Sequence, residues 1–514
     1  MRQETLAPFR EIRYFTGRVN QPAKSASASN GADRFPPQIK FIVGNEACER
    51  FSYYGMLSVL LLYMTTVLHL KKSDAKAEVH LFKMAVYFLP LIGGWLADKW
   101  LGRYWTILSL SLFYCLGHGA LALCEGSRAG LYAGLILIAI GAGGIKPCVS
   151  AFVGDQFGPH QQGLLPELYG LFYWAINLGA FFGYALIPLI RDHASYRWAF
   201  GVPGIFMGLA TALFWFGSRH YMRIPPRRAT KQAGFLPVFW FALTHRKQTC
   251  EGFEEGRASA RGRSDTTPHV QSMSAPSHRS FLDAALARFS QEEVEGAKAV
   301  LRILMIFAAV PVFWALFDQI NTTWVLQGQK MTSFEMFGYK VDAERMQSVS
   351  ALLVLTWVPV LTLWVYPWAE RLGLRLTPLR RMGAGMVLGA VSFVICGWMQ
   401  TLLDRGQVMS LAWQTVPYLF LEAGEVMLSA TGLEFAFSQA PASMKSTIMS
   451  FWLLTVAVGN LLVATVTKLN QELVKASGPA EFYFYAGLML AVAGVFAVLA
   501  LRYHPPPRAP SSSS

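Results

Sequence analysis

Charge is scarce in this chain. Asp, Glu, Lys and Arg make up 15% of its 514 residues, against about a quarter in an ordinary soluble domain. So few charged groups cannot cover a water-facing surface. With 53% hydrophobic residues and a mean hydropathy of +0.34, the outside is expected to face lipid. Cysteine is scarce too. Cys48, Cys115, Cys124, Cys148, Cys250 and Cys396 fall mostly inside apolar runs, and their spacing gives neither a disulfide framework nor a metal pattern. They read as small buried apolar residues. No apolar core opens the first 38 residues, which are polar and basic. They are expected to be a disordered cytoplasmic tail rather than a secretory signal. No nucleophile–base or metal constellation appears, so neither an enzyme nor a bound cofactor is expected.

What the chain has in quantity is long hydrophobic runs. Runs of about 20 residues, each enough for a membrane helix, recur at 39–69, 79–98, 104–124, 130–153, 165–190, 198–218, 300–320, 346–368, 382–403, 409–431, 446–468 and 481–502. Six runs, a polar stretch and six more is the arrangement of the major facilitator superfamily, whose halves rock around a central site. The expected fold is therefore an all-α integral membrane protein with 12 transmembrane helices in two six-helix bundles. Its expected parts are an N-terminal tail (1–38), a first bundle (39–218), a linker (219–299), a second bundle (300–503) and a C-terminal tail (504–514).

The formal charge of +14 does not point to nucleic acid, because of where it lies. From Arg219 to Lys298 there are thirteen Lys and Arg against eight Asp and Glu. Arg371, Arg375, Arg380 and Arg381 crowd one short loop, and Lys99 and Arg103 another. Basic loops stay cytoplasmic, and all three fall on one side when both termini are cytoplasmic. The loop after 300–320 mixes Lys330, Lys340 and Arg345 with Glu335, Asp342 and Glu344, and gives the weakest topological signal. Within the linker, Phe235 to Leu243 is apolar but too short to cross, which suits the membrane surface. Phe281 to Ala299 reads as an amphipathic helix. Asp98, Gly102 and Arg103 are echoed by Glu370, Gly373 and Arg375 at the matching place in the other half. An acid there can meet a helix N-terminus or an arginine.

Ionisable residues inside apolar runs are the chemical signal. Each costs roughly 2.5–3.5 kcal/mol at mid-membrane on insertion scales. Glu46, Glu49, Arg50 and Tyr53 fall at i, i+3, i+4 and i+7, one helical stripe that Tyr54 and Leu57 continue. They must face a wet cavity or each other. Lys146 ends the run Gly141–Pro147, which lacks the context of a phosphate loop; its glycines permit close helix approach, and Pro147 can break the helix. Asn177, Asp318, Glu422 and Glu425 lie in other runs, and His80, Lys83 and Arg302 open theirs. Blander readings stand beside these. Arg302 and Lys83 can snorkel from helix ends, and Glu422 can face a helix mouth. Lys146 and Glu425 can form a structural pair, and Asn177 can be interhelical glue. His80 can be an interfacial histidine, and Trp314 and Trp452 can be packing.

Glu46-x-x-Glu49-Arg50-Phe51-x-Tyr53-Tyr54-Gly55 resembles the first-helix signature of the proton-coupled oligopeptide transporters. Gly143 to Phe152 followed by Gly154-Asp-Gln-Phe157, the segments around Asn177 and Asp318, and Gly432 to Pro441 match that family as well. The resemblance spans about Asn45 to Asn460 and is nearest the animal members, without their large extracellular domain. It implies import of di- and tripeptides by proton symport, in a plasma membrane, by a monomer whose coupling ion is the proton. Arg50 and Lys146 would hold the peptide carboxylate, Glu425 the ammonium, and Asn177 the backbone. Tyr54, Tyr63, Tyr87, Tyr173, Trp314 and Trp452 would line side-chain pockets. Glu46, Glu49 and Arg50, with His80 and Asp318, would couple the proton. When the peptide carboxylate engages the cations, Glu46 and Glu49 lose their counter-charge and accept a proton. Arg302 and Asp318 are the gate residues by the same resemblance. Three positions depart. Leu57 stands where many members carry Arg. Ser350 replaces an Asn that helps hold the amino group. Thr362 replaces an Asp that pairs with the position of Arg302. The competing readings are a proton-coupled carrier of nitrate, histidine or a peptide-like solute, and a non-transporting membrane sensor.

Overall fold

A computed structural model describes residues 34–158, 161, 164–226, 234–245, 280–336, 338–439, 444–469 and 478–503. Nearly all of the expected N-terminal tail, the C-terminal tail, most of the linker, Cys250 and part of the Gly432–Pro441 motif lie outside the described residues. The first half runs α1 (Ile39–Thr66), α2 (Lys72–Phe88), α3 (Pro90–Leu96), a π-helical turn (Ala97–Leu101), α4 (Gly102–Leu123), α5 (Arg128–Gly154), α6 (Leu165–His193) and α7 (Tyr196–Phe216). A short α8 (Phe235–Thr244) follows. The second half has α9 (Gln291–Phe307), α10 (Val310–Phe317), a tight turn (Asp318–Asn321) and α11 (Thr323–Gly328). A hairpin pairs β1 (Phe334–Met336) antiparallel to β2 (Tyr339–Val341). Then come α12 (Met346–Val360), a second π-helical turn (Leu361–Val365), α13 (Tyr366–Arg371), α14 (Pro378–Asp404), α15 (Thr415–Gln439), α16 (Lys445–Leu469) and α17 (Pro479–Arg502).

Local chemistry explains the breaks. Ser127 and Ser195 cap α5 and α7 by accepting from Gly130 N and Trp198 N, which satisfies amides the first turn leaves free. Ser290 and Glu293 form a capping box at α9. That cap divides the segment Phe281–Ala299: a 3-10 turn covers Phe281–Ala287 and the α-helix starts only at Gln291, so the expected single amphipathic helix is not made. Pro147 does not break α5, which runs on to Gly154. The proline packs against Gly94, and neighbouring helices make an interior proline tolerable in such a bundle.

Buried apolar residues gather in two large clusters. One draws almost wholly on residues 39–221, the other on 235–496. A smaller cluster of Ala180, Tyr184 and Ala351, with Tyr54 and Phe181 against it, joins α6 to α12. In α8, Phe235 packs on Phe451 and Phe239 on Phe281, while Leu236, Trp240 and Leu243 remain exposed. The acid–Gly–base echo has a structural counterpart. Gly102 and Gly373 have φ of +75° and +78°, a backbone that only glycine adopts freely. Gly102 directly follows a π-helical turn, and Gly373 follows the other one after the six residues of α13 and Leu372. Arg103 reaches Asp98 at 3.9 Å and pairs with Asp155 at the end of α5. Among the described residues Glu370 has no such arginine.

Among the described residues, eight segments are long and apolar enough to cross a bilayer, and α9 to α11, bent by 42°, make a ninth if taken as one broken span. This is short of the twelve spans expected. The difference has physical causes. Helices α1 and α15 have the length, at 28 and 25 residues, but carry Glu46, Glu49 and Arg50 in one case and Glu422, Glu425 and Glu434 in the other. Lys72–Leu123 counts as one run of 52 residues, which the sequence reading divides near Gly102. Among the described residues the architecture is predominantly helical, with multiple apolar helices and one short β-hairpin.

The α1–α6 crossing is the tightest packing near the charged stripe. A Cβ on Gly183 would lie 2.8 Å from both Gly55 N and Phe51 O, backbone atoms that cannot step aside. Gly183→Val is expected to destabilise the protein by about 1–3 kcal/mol through overpacking, read as a lowered melting temperature in detergent. Gly170→Ala, with open space around it, should leave that temperature unchanged or slightly raised.

Candidate functional site

Helix α1 presents the charged stripe as expected. Arg50 Nε donates to Glu46 Oε1 at 2.6 Å and lies 3.1 Å from Glu49 Oε2. Glu46 and Glu49 are fully buried. A guanidinium shared by two carboxylates is how a membrane helix tolerates three ionised groups. Lys146, from α5, brings its ammonium over the rings of Tyr53 and Tyr87, 4.3 and 4.2 Å from their centroids. It lies in the field of Arg50, Glu49 and Glu46, yet Nζ has no hydrogen-bond partner among the described residues. In the other half, Glu422 is fully buried on α15 and accepts from Ser350 Oγ of α12 at 2.6 Å. Glu425 Oε2 has no hydrogen-bond partner among the described residues. The Tyr54 hydroxyl sits in the field of Arg50, Glu49, Asp318 and Glu425, so carboxylates from both halves converge on it. Its ring packs on Tyr184. Lys146 and Glu425 make no ion pair with each other.

Several residues fall elsewhere than expected. Tyr63 does not line a central pocket. It is buried between Tyr196 and Phe200, and its hydroxyl accepts from Gly126 N at 2.8 Å. Its position toward the end of α1 carries it past the charged stripe. Arg302 and Asp318 are not brought together. Arg302 lines a crevice with Met305, Leu499 and Tyr503, near the opposite end of the bent helix from Asp318. Thr362 donates to Val358 O of its own helix at 2.7 Å and offers Arg302 nothing. Glu422 faces no helix mouth but the Ser350 hydroxyl. Ser350 therefore enters the site as a partner of Glu422. Asn177 Nδ2 donates to Tyr173 O on its own helix at 3.0 Å, while Tyr173 is more than a third exposed. Trp314 and Trp452 meet edge to face with centroids 6.2 Å apart; Trp314 Nε1 has no hydrogen-bond partner among the described residues.

The two halves meet at one end, where a stripe on α2 faces the second half. Lys76 pairs with Glu481 of α17 and donates to Gln319 Oε1 at 3.3 Å. His80 bonds Asn460 Oδ1 at 2.8 Å and Thr322 Oγ1 at 2.9 Å. Lys83 pairs with Asp318 and donates to Asn321 Oδ1 at 2.9 Å. Lys83 is buried rather than snorkelling, and Leu57 of α1 is buried in apolar packing. The cation beside Asp318 thus comes from α2. At the same end Arg191 pairs with Glu344, Arg345 with Asp192, and Tyr339 with Ala185 O. Sequence reasoning gave no site role to Lys76, Asn321, Asn460, Glu481, Arg191 and Glu344. One signal was there: Lys76, His80 and Lys83 are spaced i, i+4, i+7, the same stripe rule that found Glu46 and Arg50.

With this geometry in view, comparison with known proteins is direct. Residues 104–481 match the description of the POT family, and the chain belongs to that family. Peptide transporter family 2 of Caenorhabditis elegans is 35% identical over 399 residues, covering 75% of this chain and 48% of that protein. Solute carrier family 15 member 2 of Rattus norvegicus is 26% identical over 701 residues, covering 95% and 92%. The crystal structure of an auto-inhibited POT family peptide transporter superposes with a TM-score of 0.79 at 38% identity, covering 92% of this chain and 99% of that one. The chain spans about half the length of most of the curated relatives it matches. Its relatives are transporters, not enzymes.

Glu344 lies outside the apolar spans, and burial outweighs the Arg191 charge to push its carboxyl from 4.5 up to about 8. A carboxyl raised on folding contributes stability that is complete below its unfolded value and is lost as pH rises through the folded one. Melting temperature is therefore expected to fall as pH rises from neutral through about 8. Glu344→Gln, which cannot ionise, should flatten that step. Coinciding pH profiles would show that Glu344 remains ionised throughout.

Proposed function

We propose that this protein carries di- and tripeptides across a plasma membrane by proton symport through alternating access. The carrying observation is the paired availability of Lys146 Nζ in one half and Glu425 Oε2 in the other, both without hydrogen-bond partners among the described residues. A peptide zwitterion offers each its missing counterpart. Relatives named peptide transporters support the same substrate class. In this reading Lys146 and Arg50 take the peptide carboxylate, and Arg50 leaves Glu46 and Glu49 as it does so. Those carboxylates then bind the proton that travels with the substrate. Glu425 takes the ammonium, supported by Glu422 and Ser350. Asn177 turns to the peptide backbone, and Tyr54, Tyr87, Tyr173, Trp314 and Trp452 receive its side chains. His80 and Asp318 form the second proton-sensitive pair. Twelve helices cross the membrane in two bundles of six, counting α1 and α15, the bent α9–α11 and two spans within Lys72–Leu123. Both termini and the linker are cytoplasmic, the protomer acts alone, and the closed end faces outward.

Protein reconstituted in liposomes is expected to concentrate a labelled dipeptide when the outer medium is acid. Equal uptake with the gradient collapsed by a protonophore would remove proton coupling from the reading. Glu49→Gln keeps the shape and loses the titratable charge, so it should abolish concentrative uptake but retain counterflow exchange.

Glu425→Ala is expected to weaken dipeptide binding by about 2–5 kcal/mol, the usual cost of stranding one member of a buried charge pair. An N-acetylated dipeptide should bind poorly to the parent and lose little more in the variant. Titrating both ligands against both proteins isolates the pairwise term. Equal losses for the two ligands would make Glu425 structural and reverse the assigned peptide orientation.

A further inference from the structure

The Lys83–Asp318 pair belongs to a closed ring of side chains. Lys83 Nζ donates to one oxygen of Asp318 and, at 2.9 Å, to Asn321 Oδ1. The other Asp318 oxygen accepts from Asn460 Nδ2 at 2.5 Å. Asn460 Oδ1 can only accept, so the His80 nitrogen 2.8 Å away carries a hydrogen. In the neutral ring its other nitrogen then accepts from Thr322 Oγ1 at 2.9 Å. His80 and Lys83 are three residues apart on one face of α2, which closes the ring. Asn321 extends it by donating to Tyr184 OH at 3.0 Å and to Gln347 Oε1 at 2.6 Å, tying in α6 and α12. Lys76, the partner of Glu481, is the next charge on that face of α2, and Glu78, between Lys76 and Lys83, accepts from Tyr132 OH instead. Lys146 of α5 and Tyr53 of α1 face the ring from the first half.

Every carboxylate oxygen in this ring is already engaged, and Lys83 supplies the only full positive charge that touches Asp318 among the described residues. We propose that Lys83 is a further gating residue: its ammonium latches α2 to the Asp318–Asn321 turn, so that the closed end opens when a proton displaces that ammonium from Asp318. The proton comes from the medium on the closed side. It takes up a carboxylate lone pair, and the ammonium leaves with α2 still charged. This rests on the reading of Asp318 and His80 as the proton-sensitive pair and adds what holds that pair shut.

The test compares Lys83→Met, Lys83→Arg and the parent by two independent measurements. The first is dipeptide uptake into liposomes as a function of outside pH. The Lys83→Met profile should move in the alkaline direction by about one pH unit or more, the usual effect of removing an opposite charge at contact. Lys83→Arg should restore the parent profile. The second is deuterium exchange of Lys72–Val79 and Gly328–Glu344 in lipid nanodiscs. The parent should exchange faster in acid than at neutral pH. Lys83→Met should exchange fast at both. An unmoved uptake profile together with parent-like exchange in Lys83→Met would overturn the proposal. If Lys83→Met does not fold, the charge swap Lys83→Asp with Asp318→Lys replaces it; slow neutral-pH exchange in the swap supports the latch, and fast exchange overturns it. A parent that shows no gradient-driven uptake would refute the symport reading, while the exchange measurement still decides the latch.

Discussion

An ion in a hydrocarbon slab has no water to solvate it, and every charged group in the middle of this protein is placed by that fact. Arg50 is held between two carboxylates, Lys83 between Asp318 and Asn321, and Lys146 over two tyrosine rings. Each solution is incomplete in a different way. The helix 1 trio has one cation for two acids. Lys146 has aromatic faces but no acceptor, and Glu425 keeps a free oxygen. Pairing that is nearly but not fully satisfied is what a carrier needs, because a guest can complete it and a competing proton can undo it.

The same constraint orders the scaffold. Backbone polar groups are satisfied within helices, so helix contacts are left to small residues and side-chain bonds. Gly183 of α6 lets α1 come close enough for its stripe to face inward. At the closed end the two halves are joined by polar bonds over an apolar floor of Ala180, Tyr184 and Ala351. Such a joint can be released by exchanging charges without tearing open a packed core.

Much of this was legible in the sequence. Long apolar runs located the helices, and the i, i+3, i+4 stripe located Glu46, Glu49 and Arg50. Spacing within one helix is a local property, so it survives without a structure. Partners across helices are not local. Lys83 read equally well as a helix-end side chain, and only the packing of α2 against the Asp318–Asn321 turn decides otherwise. Tyr63 misled for the same reason: an aromatic on the first helix is equally placed by sequence to face a cavity or Phe200. The missing cation at Leu57 was visible, whereas the cation beside Asp318 lay on another helix. Apolarity alone also marks fewer spans than the sequence reading expected. Helices α1 and α15 carry so much charge that hydropathy ceases to mark them, which ties the weakest membrane signal to the strongest chemical one.

Arg191 and Asp192 are neighbours in one half, and Glu344 and Arg345 are neighbours in the other. Once Glu344 ionises, at a pH of about 8, plus then minus therefore meets minus then plus. Sliding one half past the other by a single residue would set Arg191 against Arg345. Glu344 and Arg345 are buried, and the order of the four is unambiguous. They act as a key cut for one alignment of the two halves.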